Sequence, residues 1–181
     1  MWFPATVDEA RELVEKLLDK EIPLMAEKKV ALVRELSAMV ARTPSGEVQA
    51  WPAVESLQED GICVEAVAPA PNSTPETLAA AEQLSRDVAT ELGVTGVLAV
   101  ELFESTDENG QPEIIVNELA MRPHNTGHWT QDGCITSQFE QHVRAVLDRP
   151  LGSTEPTAPV VVMANVLGAA EDPAMPMHER M

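Results

Sequence analysis

The chain has 181 residues, 44% hydrophobic and 23% charged, with 30 acidic residues against 12 Lys and Arg for a formal charge of -18. That length buries roughly 70% of the unfolded chain's surface, and the composition is globular rather than disordered. The charge excludes a nucleic-acid partner, because no basic patch offsets it; the longest apolar run, about five residues, and an N-terminus without a signal-peptide pattern point to no membrane segment and a cytoplasmic location.

Thr6-Val7-Asp8-Glu9 has capping-box spacing, and Ala10, Leu13, Val14, Leu17 and Leu18 recur at helical intervals, so a helix is predicted over about 7–20. From Pro23 to Arg42 short apolar clusters alternate with charges, which predicts two strands. Pro44-Ser45-Gly46 reads as a turn, and Gly61 to Val67 as a strand stopped by Pro69. Ser73-Thr74-Pro75-Glu76 then starts a helix over 75–92 that Gly93 closes. Gly96–Phe103 and Glu113–Leu119 read as strands joined by a turn at Asn109-Gly110, followed by a helix over 137–148 and a strand over 159–166. Hairpins mixed with helices, and no interdomain linker, make the class α+β. Cys63 and Cys134 share no C-x-x-C and read as free thiols.

A two-residue turn centred on Asn109 and Gly110 would place Glu101 directly opposite Glu118 on one face of the hairpin. Two like charges so placed destabilise by up to about 1 kcal/mol. A divalent cation shared with phosphate oxygens would turn that repulsion into a binding site; an exposed glutamate or a different register is the alternative. Immediately downstream, Met121-Arg122-Pro123-His124-Asn125-Thr126-Gly127-His128-Trp129-Thr130 is dense in donors at a strand end, as an anion site requires.

The segment Asn117 to Thr130, followed by Ser137-Gln138-Phe139-Glu140-Gln141-His142, closely resembles the signature of the 5-(carboxyamino)imidazole ribonucleotide synthases, ATP-grasp ligases of purine biosynthesis. The similarity extends through Arg34-Glu35-Leu36-Ser37, Asp60-Gly61-Ile62, Gly96 to Phe103, Pro150-Leu151-Gly152 and Met163 to Gly168. It implies a partial ATP-grasp domain over 1–168, an antiparallel sheet with packed helices that lacks the family's upstream lysine and Gly-rich loop, with 169–181 beginning a truncated C-terminal domain. It also implies ATP-dependent carboxylation of 5-aminoimidazole ribonucleotide by bicarbonate through carboxyphosphate, with ATP and Mg²⁺ as cofactors.

By the same resemblance Glu101 and Glu118 hold Mg²⁺, with Asn117 and Glu118 at the nucleotide phosphates. Glu27, Lys28, Lys29 and Val30 form the adenine hinge, Glu35 takes the ribose hydroxyls, and Gln58 stands where a nucleotide-side histidine is common. Arg122, His124, Asn125 and His128 line the pocket for carboxyphosphate and the imidazole substrate. Met121 and Thr126 replace the family's usual Pro and Ser. Full-length relatives are expected to be homodimers. The lost phosphate contacts predict little or no turnover by this chain alone. The alternatives are a non-catalytic nucleotide-binding fragment and a ligase like the formate-dependent glycinamide ribonucleotide transformylase. A zinc site at His124, His128 and Cys134 lacks a fourth ligand, and His142 reads as structural.

Overall fold

Local capping sets each long helix. Thr6, Thr74 and Ser137 each accept a hydrogen bond from the backbone N–H three residues on, at 3.2 Å in every case, and start α1 (Val7–Leu18), α2 (Pro75–Glu91) and α4 (Gln138–Val146). Glu9 completes the first cap by accepting from Ala5 N at 2.9 Å. The structure, a computed structural model, describes residues 2–59 and 61–166. The expected C-terminal segment 169–181, Asp60, and the Leu167-Gly168 end of the last motif lie outside the described residues.

The chain divides into two compact units, Met1–Val30 and Ala31–Met181, a boundary that the sequence did not mark with a linker. In the first, α1 buries Leu17 while Val7, Val14 and Leu18 stay exposed, and Lys29 Nζ lies 5.4 Å from the centre of the Phe3 ring. The two strands expected between Pro23 and Arg42 are one. Residues 23–31 have no regular structure, Met25 is exposed, and the sheet begins only where Leu32 finds a partner in the strand ending at Thr106. A strand without a sheet to join is unstable.

In the second unit the strands are β1 (Leu32–Arg42), β2 (Val48–Ala50), β3 (Val54–Glu59), β4 (Ile62–Ala68), β5 (Gly96–Thr106), β6 (Pro112–Ala120) and β7 (Val161–Ala164). Their order is β6-β5-β1-β3-β4-β7 with β2 paired to β1, and every pairing is antiparallel. The sequence reading missed β2 and β3. It found β4 to β7 within a few residues.

The middle of β1 and the first half of β5 are buried on both faces, which explains their near-continuous apolar runs. On one face Leu36, Ala38, Val40, Leu98, Val100 and Leu102 pack with Ala81 and Ala89 of α2, whose small side chains allow close approach. On the other, Met39, Ala41, Val54, Val97 and Ala99 pack beneath Trp51, Trp129 and Cys134, where Trp51 Nε1 donates to Thr136 O at 3.3 Å. This second face carries the polar residues of the candidate site. The segment 121–146, with a 3-10 turn at Asn125–Gly127, α3 (Thr130–Gly133) and α4, folds over part of it.

Candidate functional site

The β5–β6 hairpin closes on three residues rather than the expected two. Asp107 N donates to Gln111 O at 2.8 Å, Asp107 Oδ1 accepts from Asn109 N and Gln111 N at 2.8 Å, and Gly110 takes φ 77° at the end of the loop. A Gly in the left-handed region is what a three-residue hairpin loop demands. The pairs near the loop, Thr106 with Pro112 and Phe103 with Ile115, are therefore one residue off the two-residue-turn register. A β-bulge between Leu102 and Glu101 then absorbs Asn117 as an extra residue, and Glu101 faces Glu118 after all. The expected pairing is correct, although the turn from which it was derived is not.

The bulge does more than restore register. It turns Asn117 onto the face of Glu101, so that Asn117 Nδ2 donates to Glu101 Oε2 at 3.4 Å. The other oxygen, Oε1, lies 3.1 Å from His124 Nε2. His124 holds the Glu101 carboxyl below its ordinary range, with further help from Asn117 and the Arg122 charge, against a burial effect of opposite sign. Glu101 is thus an ionised acceptor gripped at both oxygens.

His124 is buried and is itself clamped. Gln138, fully buried at the start of α4, accepts from His124 N at 2.8 Å and donates to His124 O at 2.8 Å. The other ring nitrogen, Nδ1, lies 2.9 Å from Thr126 Oγ1, and the Thr126 hydroxyl donates to Ser37 Oγ at 2.7 Å. Ser37, on β1, stands directly opposite Glu101 across the β1–β5 pair, so the chain of contacts ends on the strand next to the one on which it began. Thr130 Oγ1 donates to Gly127 O at 2.6 Å and accepts from Gln138 N at 2.9 Å, tying the turn to α4. Gly127 sits so close that an added Cβ would collide with Met39 and lie 2.6 Å from Gln138 Oε1.

Glu35, Ser37, Gln58, Glu101, Asn117 and Thr126 line one narrow cleft on this face. Glu35 lies two residues along β1 from Ser37, and burial followed by the Glu101 charge pushes its carboxyl above the usual range. Gln58 Nε2 donates to Ser56 Oγ at 2.7 Å. Of the residues expected at the site, Glu35, Gln58, Glu101 and Asn117 converge here, with His124 behind Glu101.

The rest are dispersed. Glu118 shares the register and face of Glu101 but is exposed on the edge strand, outside the cleft lining. Arg122 and Asn125 are exposed, and Arg122 Nη1 donates to Pro123 O at 3.2 Å. His128 faces elsewhere, with its ring 6.0 Å from that of Phe139, in a separate pocket with Trp129, Asp132 and Val161. Glu27, Lys28, Lys29 and Val30 belong to the first unit, where the first three are exposed. His142 is structural: its Nδ1 accepts from Val97 N at 3.1 Å. Sequence reading passed over Ser37, Thr126 and Gln138 as functional supports. Their one signal was polar residues at positions facing an otherwise apolar interior.

The arrangement suits a magnesium-nucleotide. Among the described residues no group of three or more His, Cys, Asp or Glu side chains gathers to cage an ion. Two facing glutamates with an amide beside them are the sparse donor set that Mg²⁺ accepts when waters and phosphate oxygens complete its shell.

Residues 2–139, which include the β5–β6 hairpin and its two facing glutamates, match the ATP-grasp domain model, and the chain belongs to the ATP-grasp family. It is similar to the N5-carboxyaminoimidazole ribonucleotide synthase of Corynebacterium ammoniagenes, with 62% identity over 172 residues, covering 95% of this chain and 42% of that protein. The Mycobacterium tuberculosis protein of the same name is 55% identical over 175 residues, covering 97% of this chain and 40% of that one. Among solved structures, the N5-carboxyaminoimidazole ribonucleotide synthetase of Thermus thermophilus superposes with TM-score 0.81 at 39% identity, covering 91% of this chain and 43% of that one. The Aspergillus clavatus synthase, solved in complex with ADP and 5-aminoimidazole ribonucleotide, gives TM-score 0.76 at 37% identity, covering 90% and 42%. The chain spans about two fifths of the length of the curated relatives it matches.

Proposed function

We propose that this chain supplies the magnesium-nucleotide face of a ligase that carboxylates 5-aminoimidazole ribonucleotide with bicarbonate at the expense of ATP, a step of purine biosynthesis. The observation that carries the reading is Glu101, ionised, gripped by His124 and Asn117, and directly opposite Glu118. In such a reaction a bicarbonate oxygen bonds to the γ-phosphorus as the bond to the β,γ-bridging oxygen breaks. ADP leaves, and the substrate amine then takes the carboxyl of carboxyphosphate as phosphate departs. Phosphoryl transfer of this kind needs positioning and charge neutralisation more than covalent help.

Glu101 and Glu118 would hold Mg²⁺, which when bound neutralises charge on the phosphate oxygens. The chain's own residues do the placing. Asn117 keeps Glu101 aimed from the bulge and offers an amide to the phosphates. Glu35, across the cleft, accepts from ribose hydroxyls with Gln58 beside it. Arg122 supplies a cation to the carboxyphosphate, with Asn125 at the imidazole substrate; His128, which lines a separate pocket, takes no part in that site. The same reading makes the enzyme cytoplasmic, a homodimer at full length, and a partner of small molecules only; no described helix is long and apolar enough to cross a membrane.

Calorimetric titration of Mg-ADP into this chain and into Glu101→Gln and Glu118→Gln tests the proposal. Binding by the unmutated chain that either substitution weakens is expected. Equal heats for all three would refute it.

A further inference from the structure

We infer that Ser37, Thr126 and Gln138 are positioning residues, a buried polar clamp that fixes the His124 ring and through it the Glu101 carboxylate in the one orientation that can meet a metal-bound nucleotide. The functional half of this inference rests on the proposed nucleotide site; the clamp itself rests on geometry alone. The three side chains come from three separate elements, Gln138 acting on the His124 backbone, Thr126 on its ring and Ser37 on Thr126, and none of them lies on the strand that carries Glu101.

Gln138 sets the backbone. Its amide bonds both the N–H and the C=O of His124, each at 2.8 Å, so residue 124 can neither flip its peptide nor drift from α4. Thr126 sets the ring. With Nδ1 held 2.9 Å from Thr126 Oγ1 and Nε2 held 3.1 Å from Glu101 Oε1, the imidazole is anchored at both nitrogens and its plane cannot rotate. Ser37 sets Thr126, receiving its hydroxyl at 2.7 Å from the strand adjacent to β5. Ser37, Thr126 and Gln138 are 1%, 1% and 0% exposed, so no water competes for these bonds. A buried polar network of this kind is stable only when every member is satisfied, and it then admits a single arrangement.

The effect on Glu101 follows from its two contacts. One oxygen meets the clamped imidazole and the other meets Asn117, so the carboxylate is oriented before any ligand arrives. Groups that hold a metal-binding side chain typically change metal affinity by roughly ten- to hundredfold when removed. Thr126 is the informative member, because Val keeps its shape without the hydroxyl and Ser keeps the hydroxyl without the methyl.

The test uses the whole chain with Thr126→Val and Thr126→Ser, and two readouts. Nitrogen-resolved NMR of the His124 imidazole, with no nucleotide present, reads the clamp. A slowly exchanging Nε2–H resonance is expected in the parent and in Thr126→Ser, broadened or lost in Thr126→Val; an identical ring signal in Thr126→Val overturns the inference outright. Calorimetry with ADP, with and without Mg²⁺, reads the consequence. Thr126→Val is expected to lose about tenfold or more in Mg-ADP affinity, with metal-free ADP binding unchanged and Ser restoring the parent value. Equal losses with and without Mg²⁺ would mark a merely structural role and overturn it too. A parent chain with a clamped ring that binds no Mg-ADP would instead refute the proposed site and leave the clamp standing.

Discussion

Replacing Gln138 with Met keeps the length and much of the volume of a fully buried side chain while deleting both polar ends. One buried N–H and one buried C=O of His124 then lose their partners, each of which sits 2.8 Å from the amide. An orphaned buried group costs about 1–3 kcal/mol, so the pair costs about 2–6 kcal/mol, a large share of the roughly 5–15 kcal/mol that holds an ordinary domain together. At about 2–4 °C per kcal/mol for a chain of this size, even the low end lowers the melting temperature by about 4 °C. Urea unfolding followed by the fluorescence of the buried Trp51 and Trp129 gives the loss directly, and a thermal scan checks it. A loss below about 1 kcal/mol with an unchanged dependence on urea would refute the reasoning, because it would mean that the His124 backbone finds other partners.

Glu35 and Glu101 have opposite pH signatures. Glu35 is pushed above the usual carboxylate range by burial and by Glu101, so ionising it destabilises the fold above its folded value, and the effect vanishes below an unfolded value of about 4.3. Glu35→Gln is therefore expected to raise the melting temperature at pH 8 and to leave it unchanged near about pH 3; no gain at pH 8 contradicts this. Glu101, held low chiefly by His124, contributes stability above the unfolded value that is lost as pH falls through the folded one. Melting curves of Glu101→Gln should converge with the parent in acid, and a gap that persists there counts against the pairing. Burial pushes the Cys134 thiol up to about 11 and raises Cys63 as well, so a disulfide reagent at pH 8 should label neither in the folded chain and both in urea; fast native labelling overturns this.

Where the sequence was legible, the determinants were local. The caps at Thr6, Thr74 and Ser137 each act on a residue three positions away, and the helices start where those caps say. Strand limits were less readable, because a strand exists only with its partner. Residues 23–31 carry a β-like pattern but have no neighbour to pair with among the described residues, while Val48–Ala50 and Val54–Glu59 carry a weak pattern and pair with β1. The hairpin shows how a correct conclusion can follow from two compensating errors. A loop one residue longer than expected shifts the register, and an unpredicted bulge at Asn117 shifts it back. Nothing in a single sequence weighs a bulge against a loop residue, since each adds one residue to the same strand pair.

The site divides along the same line. Glu101, Glu118 and Asn117 are readable as polar residues interrupting an apolar strand, but the contacts that orient them span 89 residues from Thr126 to Ser37 and 14 from His124 to Gln138. Small hydroxyls and an amide inside apolar segments look unremarkable in sequence, and only burial makes them costly enough to require partners. The result is an asymmetric pair. Glu101 has both oxygens engaged and a buried support behind it, while Glu118 stands exposed on the edge strand. The first carboxylate is therefore already ordered, and the second retains side-chain freedom that must be lost on binding, at up to about 2 kcal/mol on general entropy scales. On the proposed reading a nucleotide and its metal would settle against the fixed partner and draw in the free one, so the two glutamates, equivalent by register, would play unequal parts because of what lies behind each.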